Sequence, residues 1–129
     1  MHVVDDYLAH PDRSGYHFAL AEADGAVAGF VCFGHIPCTD GSYDIYWLVV
    51  DPVWQRQGIG TLLLARAEVA CASGRRIYIE TSSRDDYAGA RSFYTSSGYT
   101  LAATLTDFYA PGDAKLIYLK DMEGPTRPA

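Results

Sequence analysis

The chain has 129 residues, of which 49% are hydrophobic and 20% charged, and this is the composition of one globular domain long enough to bury a core. Its net charge of −6 and pI near 4.9 argue against a nucleic-acid surface, because phosphate binding depends on clustered Lys and Arg. No apolar run reaches the length of a membrane span, and the first residues, MHVVDD, lack the basic and apolar regions of a signal peptide. We therefore expect a soluble, cytoplasmic protein.

The elements are predicted in chain order as a single domain over 1–129. Residues 1–15 are expected to hold a short helix, from about Val3 to His10, and then a turn. Asp24-Gly25 lies between two β-compatible runs and predicts a hairpin. The elements that follow residue 15 are strands at 16–23, 26–34 and 43–50, a helix to about 74, a strand at 77–81, a helix at about 87–97, strands at 100–106 and 115–120, and a loose tail at 123–129.

This order predicts the fold class. A helix between the third and fourth strands implies a parallel crossover, whereas the hairpins at either end imply antiparallel pairs. We expect an α/β fold with a mixed, mostly antiparallel sheet, a central parallel crossover and flanking helices. A ligand site is expected where the parallel strands end.

The stretch WLVVDPVWQRQGIGTLLL, Trp47 to Leu64, is typical of an anion site. It contains an apolar strand, an Asp-Pro break, a polar turn that ends in Gly58-Ile59-Gly60, and the start of a helix. Glycines allow the backbone to approach a ligand, and the first N–H groups of a helix have no partner within it. This geometry favours a pyrophosphate.

Two kinds of nucleotide site fit this turn poorly. A P-loop requires Lys after its second glycine, and here Thr61 follows Gly60 directly. A dinucleotide fingerprint requires a third glycine, where this chain has Leu63, and it requires the turn to follow its strand without the seven residues found here.

A third kind of site matches better. The hexapeptide at 55–60, QRQGIG, resembles the Gln/Arg-x-x-Gly-x-Gly/Ala motif of the GNAT superfamily of N-acetyltransferases. The segment Ala90-Arg91-Ser92-Phe93-Tyr94, followed by Gly98-Tyr99, resembles that family's Ala-x-x-Phe-Tyr-x-x-x-Gly-Phe/Tyr segment. The resemblance covers about residues 16–120, and it implies the GNAT-like acyl-CoA N-acyltransferase fold.

The resemblance implies that acetyl-CoA is bound as a cosubstrate and that its acetyl group passes to an amine. The pantetheine arm is expected between the third and fourth strands, on the backbone of Leu48, Val49 and Val50. The pyrophosphate is expected on the backbone N–H groups of Gln55, Arg56, Gln57, Gly58, Ile59, Gly60 and Thr61.

Direct transfer needs a base for the amine and an acid for the departing thiolate. Tyr94 is the candidate acid, because it occupies the Tyr of the family's Phe-Tyr pair, whose hydroxyl faces the CoA sulfur; the alternative is a core aromatic. Glu80 is the candidate base, because some family members carry a Glu on this strand. Burial beside Ile77-Tyr78-Ile79 would strengthen it as a base. The alternatives for Glu80 are a solvated side chain or an ion pair with Arg84 or Arg91.

Two features depart from the family pattern. Tyr87 stands where many relatives carry an Asn that bonds the pantetheine, and Ser82, Asp85 or Asp86 would have to replace it. The family begins with a strand and one or two helices that shape the acceptor pocket, where this chain has only about fifteen residues. The pocket is therefore open, or another copy or another chain completes it. Because an uncovered edge strand invites pairing, we expect a homodimer.

The acceptor and any metal are less determined. Six Asp residues in predicted loops or strand ends either attract a cationic amine or form a solvated rim; they are Asp40, Asp44, Asp85, Asp86, Asp107 and Asp113. The four histidines and three cysteines show no ligand spacing, so no metal is expected. The sequence thus predicts an N-acetyltransferase, and the alternative is a non-catalytic acyl-CoA-binding or assembly subunit with the same fold.

Overall fold

The computed structural model describes the backbone of residues 2–6 and the whole of residues 15–122. The second half of the predicted helix, most of the predicted turn at 12–15 and the predicted tail at 123–129 lie outside these residues. The described part of the chain forms strands β1 His2–Asp6, β2 His17–Ala23, β3 Ala26–His35, β4 Ser42–Val50, β5 Arg76–Ser82, β6 Thr100–Ala110 and β7 Asp113–Asp121, with helices α1 Ile59–Ala70 and α2 Ala88–Ser96.

The strands form one sheet in the order β1-β2-β3-β4-β5-β7-β6. Neighbouring strands are antiparallel except β4 and β5, which are parallel. The chain passes from β4 to β5 through α1, because parallel neighbours require a crossover. The predicted fold class is confirmed.

The N-terminal helix prediction is wrong where it can be compared. Residues 2–6 form β1, which pairs antiparallel with β2, with Val3 opposite Ala21 and Asp6 opposite Phe18. Helix propensity is a weak preference, and pairing with a distant strand overrides it here. The edge of β2 that supported the homodimer prediction is therefore covered by β1.

Both helices pack into one core with the inward side chains of the sheet. Ile59, Leu63 and Ala67 of α1 are at most 1% exposed, at the i, i+4, i+8 spacing of a buried helix face. Burial of a side chain the size of Ile or Leu contributes about 1.5–3 kcal/mol to stability. Ile77 and Ile79 of β5 join the same cluster. Helix α1, which carries the glycine turn, is thus fixed against the sheet.

Gly98 ends α2 as the sequence predicted. Its φ of +96° reverses the chain, and the Tyr99 N–H donates to the Tyr94 carbonyl at 3.0 Å. The reversal places Tyr99 in the core, where its hydroxyl donates to Glu68 Oε2 on α1 at 2.8 Å. Lys120 Nζ lies 3.1 Å from the same oxygen. The Gly-Tyr pair therefore ties α2 to α1.

Candidate active site

The site begins where two parallel strands separate. Pairing between β4 and β5 ends at Ile45 opposite Ile79, whereas β4 continues to Val50 and β5 to Ser82. Beyond that point the backbone groups that face the gap have no partner on the opposite strand. Buried backbone groups need hydrogen-bond partners, so a ligand in the gap can supply them.

A β-bulge separates the strands further. On β3, Cys32 and Phe33 are consecutive, but they lie opposite Trp47 and Ile45 of β4, so Tyr46 is an extra residue. A bulge bends its strand and increases the local twist. The end of β4 that leads to the glycine turn therefore turns away from β5.

A cavity of about 630 Å³ occupies this gap. Its volume lies in the range of small-molecule sites. The lining combines residues from β4, β5, the loop before α2, α2 itself and the β6–β7 hairpin. These residues are Asp44, Ile45, Tyr46, Trp47, Leu48, Glu80, Thr81, Ser82, Arg84, Tyr87, Ala90, Tyr94, Tyr109 and Asp113. The two sequence-predicted catalytic residues, Glu80 and Tyr94, are therefore brought together in one cavity.

The three residues predicted to hold the pantetheine lie on the diverging end of β4. Leu48 lines the cavity, and Leu48 and Val50 pack against the core, whereas Val49 is 42% exposed. On the β3 side their positions are paired, with Leu48 opposite Val31 and Val50 opposite Gly29. Only the side of this segment toward β5 is open.

The glycine turn presents a run of backbone donors. Gly58 is the N-cap of α1 at φ +80°, and the first helical bond runs from the Leu62 N–H to the Gly58 carbonyl. The Gln55 N–H donates to Pro52 at 3.4 Å. From Arg56 to Thr61, no backbone N–H donates to another group of the described residues, so these donors are available to an anion at the positive end of the helix dipole.

Gly60 lies where the two motif segments meet. A Cβ built on Gly60 would be 3.5 Å from the Phe93 ring, which is ordinary van der Waals contact. Ala therefore fits at this position, in agreement with the Gly/Ala choice in the motif, and a larger side chain would push α2 away. Phe93 thus sets the distance between the glycine turn and α2, the helix that carries Tyr94.

Tyr94 is a buried phenol on the cavity wall. Its side chain is packed among aromatic rings, with centroid distances of 5.8 Å to Phe93, 6.5 Å to Tyr99 and 6.2 Å to Tyr118. Burial raises the pKa of Tyr94 above its usual value. No hydrogen bond joins its hydroxyl to another group in the described part of the chain. The phenol is therefore protonated at neutral pH and available to a ligand.

Glu80 has a partner that the sequence analysis did not predict. Its side chain is 44% exposed, and Oε2 lies 3.0 Å from Lys115 Nζ on β7. Neither arginine of the alternative ion-pair interpretation contacts Glu80. Arg84 pairs with Asp86 at 3.2 Å, and Arg91 donates to the backbone carbonyls of Ser82 and Arg84 at 2.7 Å. The register explains the pair, because β7 runs beside β5 and puts Lys115 on the same face as Glu80.

Asp44 lines the same cavity, and its surroundings change its pKa. Burial raises the pKa of Asp44, the nearby Glu80 carboxylate raises it further, and Lys115 lowers it. In the sequence, Asp44 is one of six Asp residues in predicted loops or strand ends. Four of them, Asp40, Asp85, Asp86 and Asp107, do not line the cavity. The sequence signal that could have distinguished Asp44 is its position inside a strand of aromatic and aliphatic residues.

The loop before α2 and the β6–β7 hairpin complete the wall. The Ser82 hydroxyl donates to Asp113, and the Arg84 N–H donates to the Ser82 oxygen at 3.1 Å. Tyr87, which stands at the family's Asn position, lines the cavity and is 44% exposed. Of the three proposed replacements for that Asn, Ser82 lies in the cavity, and Asp85 and Asp86 do not.

The described residues offer neither a metal centre nor a membrane-spanning helix. Within residues 2–6 and 15–122, no group of three or more His, Cys, Asp or Glu side chains is placed to hold a metal ion. Neither helix of the described chain has the length and apolar character needed to cross a membrane.

Comparisons with known proteins point to one family. Residues 14–101 match the family model described as "Acetyltransferase (GNAT) domain". A solved structure from Desulfovibrio desulfuricans, described as an acetyltransferase of the GNAT family, is 40% identical and has a TM-score of 0.85 over 88% of this chain and 73% of that chain. No curated protein sequence matches the chain.

Two further structures share the fold at lower identity. An aminoglycoside 6′-N-acetyltransferase complexed with coenzyme A is 20% identical, with a TM-score of 0.74 over 89% of this chain and 76% of that chain. The ribosomal-protein-S18-alanine N-acetyltransferase from Escherichia coli is 20% identical, with a TM-score of 0.73 over 89% and 76%. These two proteins share one fold and are named for different acceptors.

Proposed function

Because the chain belongs to the GNAT superfamily of N-acetyltransferases, we propose that it moves the acetyl group of acetyl-CoA directly to the nitrogen of an amine. The observation that carries this proposal is the gap between β4 and β5, which opens toward the donor-rich turn before α1 and contains the hydroxyl-bearing side chain of Tyr94. The pyrophosphate of CoA would lie on the N–H groups of that turn, and its thioester would lie in the gap.

The proposed reaction assigns a role to each of two side chains. The amine nitrogen attacks the thioester carbonyl carbon, the carbon–sulfur bond breaks, and the CoA thiolate leaves. Tyr94 gives its phenolic proton to the sulfur, and a carboxylate of the cavity takes the proton that the nitrogen loses. Glu80, the candidate base from the sequence, and Asp44 both line the cavity. Solvent then reprotonates the phenol and removes the proton from the carboxylate.

The acceptor is an amine whose identity the family leaves open. The structural neighbours are named for aminoglycosides and for a ribosomal-protein alanine, and at 20% identity they share only the fold with this chain. The cavity wall carries three carboxylates and one guanidinium, from Asp44, Glu80, Asp113 and Arg84. This excess of negative charge favours a cationic acceptor over an anionic one.

The enzyme proposal is tested by supplying acetyl-CoA with a panel of amines. We expect free thiol to appear and one class of amine to gain an acetyl group, measured by a thiol reagent and by mass spectrometry. The panel should contain aliphatic monoamines, diamines, aminoglycosides and peptides with a free N-terminus. If calorimetry shows that CoA binds but no member of the panel is acetylated, the non-catalytic acyl-CoA-binding subunit becomes the better description.

We also propose that two copies of the chain associate through β6, since the edge of β2 is covered by β1. β6 is the outer strand of the sheet, and all its residues except Ala103 are exposed. Charged residues, prolines and bulges usually prevent an edge strand from pairing with another chain. Residues 100–106 contain no charge and no proline, and of these features they have only a bulge at Ala102. Antiparallel pairing about Ala103 would put Leu101 of one copy opposite Leu105 of the other, so the strand is nearly self-complementary.

We expect Thr104→Lys to weaken this association by about 10-fold or more, because two like charges would lie close together across the shared edge. The measurement is light scattering after size exclusion over a micromolar concentration series. Val69→Lys is the control, since Val69 is a 70% exposed apolar residue on α1, away from β6. A wild-type monomer throughout the series would exclude the dimer.

The cytoplasmic location stays a prediction from the sequence.

A further inference from the structure

Asp44 is an ionisable side chain without a hydrogen-bond or ion-pair partner among the residues whose side chains the structure describes. It lies on β4 directly before Ile45, where pairing with β5 ends, and it is partly buried. No hydrogen bond or ion pair joins its carboxylate to another group of residues 15–122. Burial of a charge without a partner costs free energy, so such groups in native structures need an explanation.

The other charged side chains of the cavity all have partners. Glu80 pairs with Lys115 at 3.0 Å, Arg84 pairs with Asp86, and Asp113 accepts a hydrogen bond from Ser82. Of the four charged groups on the cavity wall, Asp44 is therefore the one left to interact with a ligand.

The surroundings of Asp44 also favour proton uptake. The groups that face it are the Tyr46 phenol on its own strand, Tyr78 and Glu80 on β5, and Lys115 on β7. Burial and the negative charge of Glu80 raise the pKa of Asp44, and Lys115 opposes them. Glu80, in contrast, is more exposed and already has the Lys115 ammonium group as a partner at 3.0 Å. A cavity carboxylate with a raised pKa and no partner of its own is suited to take a proton from a ligand.

We infer that Asp44 is the general base of the reaction, and that Glu80, held in its ion pair with Lys115, is not. This inference rests on the proposed function. Asp44 takes one proton from the acceptor nitrogen as the nitrogen bonds to the acetyl carbon, and Tyr94 gives one to the departing sulfur. Asp44 then returns its proton to solvent, and Glu80 takes no part in the transfer.

The pH dependence of kcat/KM distinguishes the two carboxylates, with the amine of the panel that reacts fastest as the probe. Activity rises with pH both as the base loses its proton and as the acceptor becomes a neutral amine. The second effect is the same for every variant, so the acid limb that differs between variants reports the base. Asp44→Asn should remove this limb and lower kcat at pH 7 by about 10²-fold, the scale of a lost general base. Glu80→Gln should keep the limb and move it to lower pH, because the charge that raises the pKa of Asp44 is lost. Lys115→Met should move the limb to higher pH, because the charge that lowers it is lost.

The controls separate this inference from the proposed function. Asp40→Asn makes the same chemical change on an exposed loop outside the cavity and should leave the profile unchanged. If Glu80→Gln removes the limb and Asp44→Asn only moves it to lower pH, Glu80 is the base and the inference is wrong. If wild-type protein acetylates no amine of the panel, the proposed function itself fails.

Discussion

Tyr94→Phe is expected to lower kcat by about 10²-fold or more, the scale of a lost general acid, and to leave the affinity for CoA nearly unchanged. The phenol lines the cavity and has no hydrogen-bond partner in the described residues, so its proton is available to the leaving sulfur. Its pKa is raised by burial above the usual value for Tyr, near 10. The phenol therefore stays protonated across the neutral range, and wild-type kcat should show no decline from Tyr94 at any pH below about 10. Steady-state rates and calorimetry with CoA measure the two effects separately.

The same substitution should hardly change stability, and this makes it a clean test of chemistry. Phe keeps the ring contacts with Phe93, Tyr99 and Tyr118, and no group of residues 15–122 loses a hydrogen-bond partner. We expect the free energy of unfolding to change by less than about 1 kcal/mol. A variant that is equally stable and equally active would reduce Tyr94 to a packing residue.

Gly58→Val is expected to weaken CoA binding by about 10²-fold or more. Gly58 has φ +80°, a conformation in which a β-branched residue is strained. Among the described residues, no atom lies within 4 Å of a Cβ built there, so the added side chain would enter the open space above the helix N-terminus. That is the space in which the pyrophosphate is proposed to lie. Calorimetric titration with CoA gives the change in affinity directly.

Gly25→Val is a matched control for this variant. Gly25 has φ +78° and also has no atom within 4 Å of an added Cβ, but it lies in the hairpin turn between β2 and β3. Backbone strain should therefore cost both variants a similar amount of stability. Equal loss of CoA affinity in the two variants would mean that strain, rather than occupation of the phosphate space, explains Gly58→Val.

Most of the architecture could be predicted from the sequence because its signals are local. Asp24-Gly25, the alternating strands and the terminating Gly98 each depend on a few neighbouring residues, and the elements of the structure follow them closely. β1 was missed because its conformation depends on pairing with β2, which no window of residues 1–15 contains. The same reason applies to β6, whose length beyond residue 106 is set by its hairpin with β7.

The candidate site was predictable to the extent that motifs mark it. The glycine turn and Tyr94 were found because their residue types recur at fixed spacing, and the structure brings Tyr94 to the cavity wall. The partner of Glu80 was not found, because Lys115 is 35 residues away in sequence and adjacent only through the register of β5 and β7. Asp44 was not singled out for a similar reason, since its partial burial and lack of a partner are properties of the folded cavity.

The extra residue at Tyr46 changes which members of β4 face the helices. Before it, the odd-numbered Ile45 lies in the core, and after it the even-numbered Leu48 and Val50 pack there, so Trp47 and Val49 are left outside. β4 thus behaves as two short strands joined at Tyr46: odd-numbered residues face the core in the first, and even-numbered residues face it in the second. The number of residues between Ile45 and Leu48 therefore matters as much as their identity. Removal of one of them would exchange the inner and outer side chains along the whole segment that leads to the glycine turn.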